Sequence, residues 1–522
     1  MRLREAALQE MSLQVDRLTP RAIQAILRRH PRPGGGIFSR DQLLQAYHHL
    51  CDEGRMTFDA RLARRLRRKP TRTISGVAPL TVLTPPHPCR GRCVYCPDVS
   101  NAPKSYLPDE PGVQRAIRFG YDPFDQTAGR LRAFRNIGHP TDKVELLILG
   151  GTWSDYPPDY QEEFVRRCLD ALNEAASDSL EAAQQRNESA AHRNVGLVVE
   201  TRPDCIDDAE VRRLRWLGVT KVQLGAQSLD DRILALNWRG HTVADTRAAM
   251  RRLRLAGFKI VLHWMPNLLG ATPESDREDF RRLWDDPELR PDELKIYPCL
   301  LLPDTGLYHL WRAGEYHPYD EETLVSLLAS CKTDIPPYCR VNRLMRDIPA
   351  PDIVAGVARS NLRQVVQQRM AETGAVCRCI RCREVRGAAI DAETLRLAVT
   401  SYETDGTEEH FIAWQTPEER LAGFLRLSFP QVAPEIPELR GCALVRELHV
   451  YGPALQLGRR QEGRAQHAGL GSRLLEQAGR MAREAGYARL AVIAAVGVRP
   501  YYRERGFELG KLYMARGLGR GE

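Results

Sequence analysis

Residues 80–96 read LTVLTPPHPCRGRCVYC: a short apolar run, a pair of prolines, then a loop carrying Cys89, Cys93 and Cys96. An apolar run of this length, closed by prolines, has the pattern of a buried strand. The same kind of run recurs as VELLILGG (144–151), VGLVVET (195–201), KVQLGAQ (221–227), FKIVLHWMP (258–266) and ELKIYPCLL (293–301). Stretches with apolar residues at helical spacing, such as YQEEFVRRCLDALNEAA (160–176) and DAEVRRLRWLG (208–218), separate most of them. Strands alternating with helices build βαβ units around a parallel sheet. The pattern predicts an α/β fold with a full or partial (β/α) TIM-like barrel over residues 76–345. Such barrels place their chemistry at the C-terminal ends of the strands, which is where the cysteine loop falls. The polar segment 176–195 is expected as an exposed, mobile insertion.

Working outward, residues 1–75 read as helical. LTPRAIQAILRRH (18–30) and SRDQLLQAYHHLCDEG (39–54) are followed by FDARLARRLRRKPTRTISG (58–76), the most basic stretch of the chain. The formal net charge is +9, and residues 1–75 account for all of it, with 16 Lys+Arg against 7 Asp+Glu. A basic segment on a neutral body predicts a phosphate-rich partner, a nucleic acid, gripped by Arg64, Arg65, Arg67, Arg68, Lys69 and Arg72. Residues 346–390 read as a helical, cysteine-bearing connector. Residues 391–522 form a third domain. In it LRLAVTSYE, EHFIAWQ, LAGFLRLSF and ALVRELHVYG resemble successive antiparallel strands, followed by a glycine turn, a helix and RLAVIAAV.

Composition narrows the class. At 43% hydrophobic and 27% charged, with no apolar run of 18 residues, the sequence is neither disordered nor membrane-spanning. The N-terminus MRLREAALQEMSLQ lacks the apolar core of a signal peptide, so a cytoplasmic protein is expected. Its 13 cysteines are then expected in metal binding, in catalysis or as small buried residues, not in disulfides.

Cys89, Cys93 and Cys96 have C-x3-C-x2-C spacing. Three thiolates on one loop can hold three irons of a 4Fe–4S cluster. The fourth iron is left open for S-adenosylmethionine, which electron transfer can cleave to a 5′-deoxyadenosyl radical. Zinc is the alternative, but a structural zinc wants four protein ligands. This pattern resembles the radical S-adenosylmethionine superfamily. Gly150 and Gly151 end one strand, while Glu200 and Gln223 lie on others; all four are candidates to hold that cofactor.

Gln466, Gly469, Leu470, Gly471 and Ser472 precede an amphipathic helix. Glycines at a helix N-terminus let backbone N–H groups approach a pyrophosphate. The motif is similar to the coenzyme A turn of GCN5-related N-acetyltransferases (GNAT). That resemblance implies a mixed α/β fold. It also implies that Glu447, Leu448, His449 and Val450 pair with the pantetheine arm, and that Tyr501 or Tyr502 lies near the thioester sulfur. A third cluster, Cys377, Cys379 and Cys382, suits zinc, with Cys299 as the expected fourth ligand; a second iron–sulfur cluster is the alternative.

The combination resembles the Elongator protein three family, in its stand-alone prokaryotic form. The likeness rests on KPTRTISGVAPLTVL (69–83), the cysteine loop, RAIRFGYDPFDQ (115–126), DKVELLILGGTW (142–153), VVETRPD (198–204), VQLGAQS (222–228) and MRDIPAPDIVAG (345–356), and on RELHVYGPA, QHAGLGSRLLEQA and RPYYRERGF. It implies an acyltransferase that uses acetyl-CoA and S-adenosylmethionine to form 5-carboxymethyluridine at the tRNA wobble position. It further implies binding of the anticodon stem-loop, an electron donor, acetyl-CoA contact by Lys143, and a stand-alone enzyme or homodimer with no membrane partner. The rival is a protein lysine N-acetyltransferase with the barrel as scaffold, which leaves the cysteine loop and the basic segment without a use.

Overall fold

The computed structural model describes residues 2–66, 73, 75–386, 390–451 and 469–519. Its first sheet holds β1 (Ala78–Leu83), β2 (Lys143–Leu149), β3 (Arg193–Thr201), β4 (Lys221–Gln227), β5 (Lys259–Trp264), β6 (Glu293–Ile296) and β7 (Arg340–Arg343). They lie in chain order, every neighbouring pair parallel. β1 and β7 do not pair, so the barrel is partial. Sequence pattern missed β7, which is four residues long and reads RVNR. It has no apolar run to reveal it.

The outward faces of these strands pack under helices in one large apolar core. On β2, buried Val144, Leu146 and Ile148 alternate with half-buried Lys143, Glu145, Leu147 and Leu149. The inward positions are ionic. Lys221 Nζ on β4 lies 2.7 Å from Glu145 on β2 and 3.4 Å from Glu293 on β6. Neither strand neighbours β4, so these pairs span the lumen. A TIM barrel is ordinarily filled there by layers of branched apolar side chains.

The expected mobile insertion is instead a packed element. Helix Leu180–Asn187 is capped by the Ser179 hydroxyl and buries Leu180, Ala183, Gln184 and Asn187. Asn187 Oδ1 accepts the backbone N–H of Asn194 at 2.7 Å, and its amide donates to Asn173 Oδ1 at 2.7 Å. The polar composition is spent on buried hydrogen bonds, which a hydropathy reading mistakes for exposure.

The second sheet runs in the order β13-β14-β12-β11-β10-β9-β8. β8 (Arg396–Thr404), β9 (Thr407–Gln415), β10 (Leu421–Pro430) and β11 (Cys442–Val450) form an antiparallel meander. β12 (Arg489–Val492) is parallel to β11, and β13 (Glu508–Leu509) and β14 (Met514–Gly517) complete the far edge. β11 pairs with β12 only through Cys442–Val445. Beyond that point the two strands part. The apolar core is continuous with the barrel's: Phe411, Leu444 and Ile493 belong to the same cluster as Val222 and Ile260.

Four N-terminal helices, Arg2–Leu13, Pro20–Arg29, Arg40–Asp52 and Ala60–Leu66, enclose a core of their own around Leu8, Met11, Ile26, Tyr47 and Leu62. Thr19 caps the second, and Ser39 with Gln42 forms a capping box on the third. Among the described residues no helix is long and apolar enough to cross a membrane.

Candidate active sites at the two ends of the barrel

The cysteine loop follows β1 and sits at the C-terminal ends of the strands. Gly150, at φ +128°, closes the turn after β2; a Cβ there would stand 2.3 Å from Thr84 Oγ1 and 2.9 Å from Thr84 N. Only glycine lets this turn press against the end of β1. The turn brings Thr152 Oγ1 to 3.6 Å from Cys89 Sγ. Arg239 Nη1 donates to Cys93 Sγ at 3.3 Å. Burial opposes a thiolate at Cys93, but the Arg239 and Arg202 guanidiniums outweigh it and hold the thiol below its ordinary range. Burial and the neighbouring Cys93 push Cys96 up to about 12. Among the described residues Arg202 Nη1 is buried without a hydrogen-bond partner, and the site of a Cβ on Gly91 lies 2.4 Å from it, next to Cys89. Arg239 at Cys93 and Arg202 beside Cys89 set two cations against this loop, a charge complement to an anionic thiolate-bound cluster. Sequence reasoning missed Arg202 and Arg239. They lie after β3 and β4, and only the fold brings them to Cys93.

The other end of the barrel meets the second sheet. The starts of β2, β4, β5, β6 and β7 supply Lys143, Lys221, Lys259, Glu293 and Arg340 to a cavity of about 740 Å³. Its opposite wall is the parted half of β11, with Glu447, Leu448, His449 and Val450, together with Gly469, Gly471, Ser472, Tyr501 and Tyr502. Gly469 adopts φ +67° and leads into helix Leu470–Glu484. Gly471 packs against the Tyr501 hydroxyl, which a Cβ would meet at 2.9 Å. Arg505 stacks on the Tyr501 ring, 3.6 Å from its centre. Tyr502 is buried in the apolar core of this domain, edge-on to Tyr501 and Phe507. Burial depresses the Lys143 pKa and, with Arg340 and Lys259 adding to it, lowers His449 to about 4. His449 is therefore a neutral imidazole at pH 7, and its buried Nε2 has no hydrogen-bond partner among the described residues.

A model of the radical SAM superfamily matches residues 84–283, and one of its C-terminal domain matches residues 291–372. A tRNA uridine(34) acetyltransferase of Dehalococcoides mccartyi is 44% identical over 460 residues, covering 86% of this chain and all of that one. Human Elongator complex protein 3 is 37% identical, covering 87% of this chain and 86% of that one. The chain belongs to the Elongator protein three family. The solved structure of archaeal Methanocaldococcus infernus Elp3 with an N-terminal deletion superposes with a TM-score of 0.75 at 38% identity, covering 85% of this chain and all of that one. The radical SAM domain implies S-adenosylmethionine and a 4Fe–4S cluster.

In this member of the Elongator protein three family, Cys377, Cys379 and Cys382 bring their sulfurs within 4.8 Å of one another. Hydrogen bonds from Cys377 and Cys382 lower the Cys379 pKa strongly. The expected fourth ligand is corrected by the fold. Cys299 lies after β6, packed with Val94, Leu301 and Tyr316 beneath the cysteine loop, whereas the trio lies against helix Glu321–Thr333. What approaches the trio is Lys332, fully buried, with Nζ 3.3 Å from Cys377 Sγ and 3.9 Å from Cys382 Sγ. Nothing in the spacing of sequence pointed to it.

Glu200 and Gln223 line the lumen side of β3 and β4 and are joined through Lys295, whose Nζ donates to Gln223 Oε1 and stands 3.8 Å from Glu200. Arg64 and Arg65 are exposed on helix Ala60–Leu66. Arg67, Arg68, Lys69, Arg72 and Gln466 lie outside the described residues.

Proposed function

We propose that this chain is a tRNA uridine(34) acetyltransferase that uses acetyl-CoA and S-adenosylmethionine to form 5-carboxymethyluridine. One observation carries the reading. A single chain of this family sets a three-thiol loop at one end of a barrel and a coenzyme A-type groove at the other. When bound, the cluster with S-adenosylmethionine supplies one-electron chemistry able to activate an unreactive C–H bond. Cys89, Cys93 and Cys96 would hold it, with Arg202 and Arg239 balancing its charge and Gly150–Gly151 framing the cofactor. Glu200 and Gln223 offer polar contacts below.

The chain's own residues do the rest at the groove. Backbone N–H groups at Gly469–Ser472 would take the pyrophosphate, since they begin a helix of 15 residues. The edge of β11 left free by β12 offers Glu447–Val450 to the pantetheine amides. Tyr501 and Lys143 lie on opposite walls, placed to donate to the thioester carbonyl. Neutral His449 can accept a proton from water. Arg64, Arg65 and their neighbours would grip tRNA phosphates in a salt-sensitive contact. Cys377, Cys379 and Cys382 offer three thiolate donors to a structural zinc, and Lys332 Nζ, which donates to Cys377 Sγ, would balance their charge.

The test is mass spectrometry of tRNA incubated anaerobically with enzyme, both cofactors and a strong one-electron reductant. Carboxymethylated uridine is expected, lost in Cys93→Ser together with the visible absorbance of the cluster. Acetylated lysine with unmodified tRNA would overturn the reading.

A further inference from the structure

The groove does not end at the tyrosines. The same cavity continues past the strand starts to Leu147 on β2, Gln223 on β4 and Lys295 on β6, midway up the lumen. The cysteine loop lies beyond the other ends of these strands, and seven residues of β2 rise only about 20 Å. Any acyl group bound at the groove has this lumen between it and the thiols.

The lumen cations are not equivalent. Lys221 has Glu145 at 2.7 Å, and Lys259 has Glu447 at 2.5 Å. Among the described residues Lys295 holds no carboxylate so close: Glu200 stands off at 3.8 Å, and its direct partner is the neutral Gln223 amide. Gln223 Oε1 is shared with His263 Nε2 at 3.1 Å. The His263 pKa is lowered by burial and by Lys295. A buried ammonium bonded to a neutral acceptor has strong donor capacity to spare. Leu147, half-buried and lining the same cavity, offers an apolar wall for a methyl group.

We propose that the lumen is the passage by which the two-carbon acyl unit travels from the groove to the cysteine loop, and that Lys295, held by Gln223, receives its carbonyl or carboxylate oxygen midway. This rests on the acetyl-CoA reading above. Lys295 is then a positioning residue.

The test places a thiol in the passage. Leu147→Cys, Lys295→Cys and an outer control on an exposed helix position, Gln185→Cys, are exposed to bromoacetyl-CoA and, separately, to bromoacetate, then mapped by peptide mass spectrometry. The thiolate displaces bromide: a C–S bond forms as the C–Br bond breaks, and the thiol proton passes to solvent. Labelling of the two lumen thiols about tenfold faster than the control, suppressed by acetyl-CoA, is expected. An adduct that retains CoA identifies the thioester as the travelling form; a carboxymethyl adduct from bromoacetate identifies the free acid. Labelling no faster than the control, in a protein that binds acetyl-CoA by calorimetry, overturns the passage alone. A wild-type protein that binds no acetyl-CoA overturns the functional reading instead. If Lys295→Cys does not fold, Leu147→Cys carries the labelling test. In the intact enzyme, Lys295→Met should lower carboxymethyluridine formed per CoA released about tenfold, and Lys295→Arg should restore most of it. An unchanged ratio in Lys295→Met would remove Lys295 from the passage.

Discussion

Arg446 on β11 donates to Asp292, the residue before β6, through Nη2 at 2.5 Å and Nη1 at 2.8 Å. Both side chains are inaccessible to solvent. Arg254 and Arg426 stand 3.5 Å from the same carboxylate, and Glu409 takes Arg446 Nε at 2.9 Å. The Asp292 carboxyl is held far below its usual range: burial opposes the charge, but three guanidiniums outweigh it. Breaking such a pair strands a buried charge. Asp292→Asn should lose about 3–5 kcal/mol in urea denaturation, while an exposed change such as Gln185→Ala should be neutral. A loss below about 1 kcal/mol would show that the seam is not what holds the two sheets together.

At the groove, Tyr501→Phe and Lys143→Ala should each lower CoA release, measured with tRNA present, about tenfold or more. Their melting temperatures should stay near wild type, since Phe keeps the Tyr501 ring against the core and Lys143 lies on the cavity wall. Tyr502→Phe tests the neighbour: a hydroxyl lost from a buried site without loss of CoA release would assign Tyr502 to packing. Full activity in all three would take them off the site.

His449 gives a pH signature. It titrates near 4 when folded and near 6.5 when unfolded. Between these values the unfolded chain binds the extra proton, so stability falls as pH drops from about 6.5 towards about 4. His449→Gln removes this dependence. Thermal melts between pH 7.5 and 4.5 should show wild type losing up to about 3 kcal/mol more than the variant. Parallel profiles would mean the imidazole is solvated and protonates normally.

Cys379→Ser should empty the third cluster. Zinc measured by mass spectrometry is expected to drop from about one per chain to a small fraction, with iron unchanged. Lys332→Met should weaken zinc retention less, because three thiolates remain. Wild type without zinc would leave the trio as free thiols.

Arg64→Gln with Arg65→Gln should weaken tRNA binding several-fold. The dependence of log affinity on log salt should flatten by about one to two. Unchanged affinity at every salt concentration would remove these residues from the interface.

The fold was legible wherever hydrophobic period and turn residues agreed. Six barrel strands stand within two residues of their apolar runs at the N-terminal side, because one face of each must be buried. β7 escaped because RVNR carries no apolar signal. Helix Leu180–Asn187 escaped because its polar side chains are paired inside. The cysteine and glycine motifs were legible as chemistry because their ligands are local in sequence. Arg239, Lys332 and Lys295 were not, since each meets its partners only through long-range packing. Cys299 was misassigned for the same reason: spacing says nothing of which side of a barrel a thiol faces.

Between β1 and β7 the wall of strands is open, yet the charges lining the bore are matched rather than isolated: Lys221 and Lys259 both reach Glu293, at 3.4 Å and 3.6 Å. Removing one member of such a set strands the others at several kcal/mol, so a substitution meant to reshape the bore should harm folding before it harms chemistry.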